Sequence, residues 1–225
     1  MGEKVSFTLN GQKGDGWLAR PASGKGPALV VIQEWWGLVP HVMDVTDRFA
    51  KEGFLAFAPD LYHGKTTTSP DEAGRLLMEM DVTRASREIA ATGAYLLQRP
   101  ECTTQKFGVV GFCMGGALAQ FAATSNPNVG AAVSFYGGFK KLQPDWKYLA
   151  SPLLLIYGGK DASVPAADAG PLEEKLRAMG KTVETVVYPD AGHAFFNDAR
   201  PNVYDAKAST DAWTRTLAHF RKALV

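Results

Sequence analysis

Residues 106–119, Lys-Phe-Gly-Val-Val-Gly-Phe-Cys-Met-Gly-Gly-Ala-Leu-Ala, constrain this chain more than any other stretch. The apolar run Phe107–Phe112 predicts a buried strand, and the small residues from Met114 onward predict a helix. Cys113 stands between them, with Gly111 before it and Gly115 after it. A strand that becomes a helix so abruptly lifts the apex side chain above the sheet, and small neighbours let the backbone fold close beneath it. A sulfur at that apex would face the unpaired N–H groups and positive dipole end of the helix, which favour the thiolate. Read alone, the cysteine fits a small buried hydrophobe equally well. A base and an acid at matching places downstream would decide between the two.

The rest of the chain alternates strands with helices. Val5–Leu9 and Trp17–Ala19, joined through Gly11, Gly14 and Gly16, predict a leading antiparallel hairpin. These glycines do not open a helix after a strand, which argues against a phosphate loop. Further strands are expected at residues 27–32, 54–59, 129–135, 152–157 and 182–188. Helices are expected at about 40–51, 71–80, 83–99, 114–124, 166–179 and 204–224. The continuous apolar strands imply helices on both faces. The predicted class is therefore α/β, a mostly parallel doubly wound sheet with a leading hairpin. No repeat or linker-like tract interrupts residues 1–225, so one domain is expected.

A hydrophobic content of 46% supports a substantial core, while a net charge of +1 gives no electrostatic reason to expect nucleic acid or a membrane surface. No apolar run approaches a membrane span and no leader is evident, so a cytoplasmic protein is expected. The expected state is a monomer, with a homodimer as the alternative. An extended segment separates Cys102 from Cys113 by roughly 20 Å. That is beyond the reach of a disulfide.

Cys113, Asp161 and His193 each follow the carboxyl end of a predicted strand, and parallel strands share that edge. The order nucleophile, acid, histidine is the one found in α/β-hydrolases. Asp190, three residues before His193, is the rival acid, but a residue in the same turn is better placed to bond local backbone. His41, His63 and His219 read as exposed or locally bonded, and none has the spacing of a zinc pair. Glu34, Trp35 and Trp36 close another strand, where open α/β sheets contact ligands. The alternative places the tryptophans in the core and Glu34 in solvent.

Together Gln33-Glu34-Trp35-Trp36-Gly37, Gly111-Phe-Cys113-Met-Gly115-Gly116, Asp161 and Gly192-His193-Ala-Phe resemble the dienelactone hydrolase (carboxymethylenebutenolidase) family of the α/β-hydrolase superfamily. The resemblance runs along essentially the whole chain. It implies a hydrolase of carboxylic esters or lactones, with Cys113 as nucleophile, His193 and Asp161 completing a triad, and Glu34 helping to activate the thiol. The hydrolase template puts the oxyanion on the N–H of Met114, and the resemblance adds that of Trp35. Trp35, Trp36, Tyr136, Phe195 and Asn197 are expected to contact a small-molecule substrate, and no metal or organic cofactor is expected. Asn197 stands where family members acting on acidic lactones carry an arginine. That departure implies a preference for neutral esters, unless Arg200 or Arg75 supplies the missing charge. An acyltransferase and a non-catalytic receptor are the alternatives.

Overall fold

The computed structural model describes residues 1–9, 11–139 and 141–225. Among these, eight strands form one sheet: β1 (Glu3–Leu9), β2 (Gln12–Ala19), β3 (Ala28–Ile32), β4 (Leu55–Pro59), β5 (Phe107–Phe112), β6 (Val129–Phe135), β7 (Leu153–Gly158) and β8 (Val183–Tyr188). Their order is β1-β2-β4-β3-β5-β6-β7-β8. Strands β3 to β8 are parallel, whereas β1 and β2 form the leading hairpin and β2 pairs antiparallel with β4. The helices are α1 (Pro40–Lys51), α2 (Pro70–Glu79), α3 (Val82–Leu97), α4 (Met114–Ser125), α5 (Ala169–Ala178) and α6 (Ala206–Leu224).

Every residue of β3, β4, β5 and β7 is buried, as expected of strands covered on both faces. Alternate side chains feed two cores. Val30 and Ile32 join Ile89, Leu96 and Leu118 on the side of α3 and α4, while Leu29 and Val31 join Val42, Phe49 and Phe220 on the side of α1 and α6. Each such side chain contributes about 1.5–3 kcal/mol relative to exposure.

The helix boundaries follow local chemistry. Helix α2 starts at Pro70, where the missing N–H costs nothing, after Ser69, whose hydroxyl accepts from Glu72 N–H. The helix predicted over residues 166–179 is divided into a 3₁₀ turn, Ala166–Asp168, and α5. The last helix begins at Ala206 rather than Tyr204, because Asp205 caps it by accepting from Ala208 N–H at 2.9 Å.

From β3 the chain moves outward to β4 and then returns to β5 on the other side of β3. This reversal of direction opens a crevice at the carboxyl ends of β3 and β5, where open α/β sheets bind ligands. Ile32 of β3 pairs in register with Gly111 of β5. Glu34 and Cys113, each two residues farther on, therefore leave the sheet side by side.

Candidate active site

Cys113 is the only residue between the last residue of β5 and the first of α4, and its backbone is in the left-handed half of conformational space, φ 55° and ψ −117°. Such a conformation is costly for a residue with a Cβ and is found where function demands it. The neighbours explain how the turn closes. A Cβ on Gly111 would lie 1.9 Å from the Gly115 carbonyl oxygen, and one on Gly115 would lie 2.5 Å from the carbonyl oxygens of Ile32 and Gln33. The Cys113 N–H is bonded to the Phe135 carbonyl at 3.0 Å. The Met114 N–H opens α4 and belongs to the first turn, whose donors have no acceptor within the helix.

His193 follows β8, and its Nδ1 lies 2.7 Å from Asp161 Oδ2. The other carboxylate oxygen, Oδ1, accepts from the N–H groups of Ser163 at 2.7 Å and Val164 at 2.9 Å. Burial works against the Asp161 charge. The hydrogen bond from His193 and those from Val164 and Ser163 outweigh it and hold the carboxyl below its usual range. Burial also opposes protonation of His193, yet the hydrogen bond to the Asp161 carboxylate and the nearby Cys113 sulfur push its pKa up to about 10. The rival Asp190 points away into solvent, where it pairs with Lys160 at 2.9 Å.

Glu34 is only 2% exposed. Asn197 Nδ2 donates to its Oε2 at 2.8 Å, while Oε1 is buried without a hydrogen bond. Desolvation raises its pKa, opposed by the Asn197 amide, by His193 and Arg200 through their charge, and by the nearby Tyr136 hydroxyl. The alternative of a solvated Glu34 is thus excluded. Trp36 is core-like at 8% exposed, whereas Trp35 is half-buried and packs edge-on against it, the ring centroids 5.0 Å apart.

Three residues expected to contact substrate are buried. Phe195 is fully buried between Phe135, Tyr136 and Tyr188 and serves the core. Asn197 is turned onto Glu34 rather than toward an opening. Tyr136 is also fully buried, its ring 5.1 Å from that of His193. Aromatic side chains immediately after strand ends or beside His193 can face either the crevice or the sheet, and the sequence does not distinguish these cases.

Of the two candidate arginines, Arg75 is exposed on α2 and paired with Glu72 and Glu79. Arg200 stacks over Trp36 at 5.1 Å and makes no ion pair among the described residues. His41 is a correction to the expectation: it is buried, with Nδ1 3.2 Å from Asp198, a residue far along the chain that Arg48 also grips. His63 is exposed and sits beside Glu88 and Arg84, and His219 is half-buried. Tyr62 is not among the expected site residues, yet its hydroxyl donates to Met114 Sδ at 3.3 Å, and it lines a cavity of about 220 Å³ together with His63, Arg84 and Glu88. Its place just beyond β4, at the same sheet edge, was the available signal. Both cysteines are free. Among the described residues no cluster of His, Cys, Asp and Glu is arranged to hold a metal, and no helix is long and apolar enough to cross a membrane.

Comparison with known proteins identifies the family. The model of the dienelactone hydrolase family matches residues 15–224. "Protein usf" of Aquifex pyrophilus is 38% identical, and a protein of Aquifex aeolicus named "Putative carboxymethylenebutenolidase" is 34% identical, each over the full length of both chains. A crystal structure named "Putative Dienelactone Hydrolase", from Klebsiella pneumoniae, superposes with a TM-score of 0.88 at 31% identity, covering 98% of each chain. With its sheet order, its crevice and these relatives, the chain belongs to the dienelactone hydrolase family and is a hydrolase of the α/β-hydrolase superfamily.

Proposed function

We propose that this hydrolase cleaves carboxylic esters or lactones through Cys113, His193 and Asp161, by way of a thioester. The observation that carries this reading is the 2.7 Å contact from His193 Nδ1 to Asp161, on a ring whose protonation the nearby Cys113 sulfur also favours. A histidine oriented by an acid and facing a nucleophile is the arrangement that activates it. In the first half-reaction the thiol proton passes to His193 and the sulfur attacks the carbonyl carbon. The tetrahedral intermediate then collapses, the ester C–O bond breaks, and the alkoxide leaves with the proton from His193. Water next gives a proton to His193 and attacks the thioester, and the sulfur departs and recovers the proton. The N–H groups of Met114 and Trp35 are assigned to the developing oxyanion. Glu34, two residues past β3, assists in removing the thiol proton.

The substrate reading is a neutral, fairly apolar ester or lactone seated beside Trp35. Its support is that Asn197 is spent on Glu34 and Arg75 on two glutamates, leaving no arginine pair for a substrate carboxylate. A charge-assisted hydrogen bond contributes about 1.5–3 kcal/mol, so its absence should disfavour an acidic lactone by about ten- to a hundredfold. One observation favours a second reading: the unpaired guanidinium of Arg200 over Trp36. The specificity constants for a dienelactone, its methyl ester and an activated acetate ester, each with added alcohol or amine acceptor and without, test the assignment. Hydrolysis of the neutral esters in preference to the acid supports the first reading. A preference for the acid that is lost in Arg200→Ala supports the second, and acceptor-dependent products would instead identify an acyltransferase.

A further inference from the structure

Glu34 Oε1 and the Tyr136 hydroxyl are both buried and both lack a hydrogen bond of normal geometry. Each such atom costs free energy comparable to a lost hydrogen bond when sealed from water. The two are neighbours, since the hydroxyl is near enough to Glu34 for each to act on the protonation of the other. Tyr136 is held at this place at a cost. Its φ is +38°, a left-handed backbone for a bulky residue, and its ring is locked among Phe112, Phe135, Phe195 and His193. A phenylalanine would fill that aromatic cage equally well, so packing does not account for the hydroxyl.

We propose that Tyr136 is a positioning residue whose hydroxyl donates to Glu34 Oε1, so that two neutral donors, Tyr136 and Asn197, hold the carboxyl from its two oxygens beside Cys113. This rests on the proposed role of Glu34 in activating the thiol. The charged or titratable groups facing Glu34 are His193 and Arg200 from the segment after β8 and Tyr136 from the end of β6, with Cys113 and Asp161 within electrostatic reach of Tyr136 itself. A small shift of the Glu34 carboxyl toward the Tyr136 hydroxyl satisfies both orphaned atoms, and the hydrogen bond so made favours the charged carboxylate. Without that donor the carboxyl keeps its proton to higher pH.

The test is the rate of Cys113 alkylation by iodoacetamide as a function of pH, followed by peptide mass spectrometry, which separates Cys113 from Cys102. Wild type, Tyr136→Phe and Glu34→Gln are compared at matched melting temperature. The expected result is a rising step in wild type that disappears in Glu34→Gln and moves up by about one pH unit in Tyr136→Phe, tenfold in rate on the rising limb. Incorporation of 3-fluorotyrosine, a stronger donor that keeps the ring, moves the step down and serves if Tyr136→Phe does not fold. A Tyr136→Phe profile superimposable on wild type overturns the assignment, as does a Glu34→Gln profile with the step intact. Ester turnover on the same wild-type preparation separates the two claims. A shifted step without turnover fails only the esterase reading, and turnover with an unshifted step fails only the role of Tyr136.

Discussion

Asp161 and Glu34 are both buried carboxylates just beyond strand ends, and the fold treats them in opposite ways. Asp161 accepts three hydrogen bonds, two of them from the backbone of its own turn, and its carboxyl is held low. Glu34 has one side-chain donor and an unpaired oxygen, and burial pushes its carboxyl up. The first environment keeps a permanent negative charge that orients and charges a histidine. The second keeps a carboxyl able to gain or lose a proton. Pairs of titratable groups driven apart in this way mark the division of acid and base roles in an active site.

The comparison is sharpened first by removing what the two carboxylates serve. Cys113→Ala and His193→Ala should each lower kcat by about ten-thousandfold or more and not add in the double variant, because the groups act as one unit. Steady-state kinetics on an activated ester checks this. Asp161→Asn should lose about a hundred- to ten-thousandfold, since an amide no longer holds the ring in the productive tautomer. Asp190→Asn should remain within a few-fold of wild type, because Asp190 is exposed and pairs with the exposed Lys160. A reversal of that order would show that the wrong acid has been chosen.

For Glu34→Gln a loss of about ten- to a hundredfold in kcat with little change in KM is expected when acylation limits turnover. Its stability should not fall, since a buried amide replaces a buried acid. Thermal melts against pH then separate the two carboxylates. Asp161 has a folded pKa below its ordinary 3.8, so its stabilisation is present above that value and lost as pH falls through the lower one. Glu34 has a folded pKa above its ordinary 4.5, so the folded state binds the extra proton and stability declines as pH rises through the higher value. The advantage of wild type over Asp161→Asn should therefore shrink in acid, and that of Glu34→Gln over wild type should grow toward neutrality. His193, whose folded pKa is also raised, follows the sign of Glu34. Its contribution is complete below about 6.5 and is lost as pH rises through about 10.

The contrast also explains what was legible in the sequence. The environment of Asp161 is made by strand ends and turns, and these leave a local signature: buried strands, a glycine-flanked apex at Cys113, and an aspartate followed by Ala-Ser-Val, of which the Ser163 and Val164 N–H groups fold back on it. The environment of Glu34 is made by side chains converging from distant segments. Asn197 could be placed in the site by family position, but not aimed at Glu34. Phe195 and Tyr136 occupy sequence positions suited to substrate contact, and only three-dimensional packing turns them inward. His41 and Asp198 are another such long-range pair, which the apolar periodicity of α1 does not reveal.

The smallest expected effect is that of Arg200→Ala, within about three-fold on neutral esters, because a half-exposed cation over Trp36 adds about 0.5–1 kcal/mol of local attraction and touches no reacting atom.

The central claim, that Cys113 carries the acyl group while the two carboxylates divide the remaining work, is tested most directly by intact-protein mass spectrometry during turnover of a slow ester. The account predicts a mass increase of one acyl group in wild type, mapped by peptide analysis to Cys113. The adduct should form more slowly in Glu34→Gln and be absent in Cys113→Ala. Turnover without any acyl adduct on Cys113, or an adduct that persists in Cys113→Ala, would contradict it.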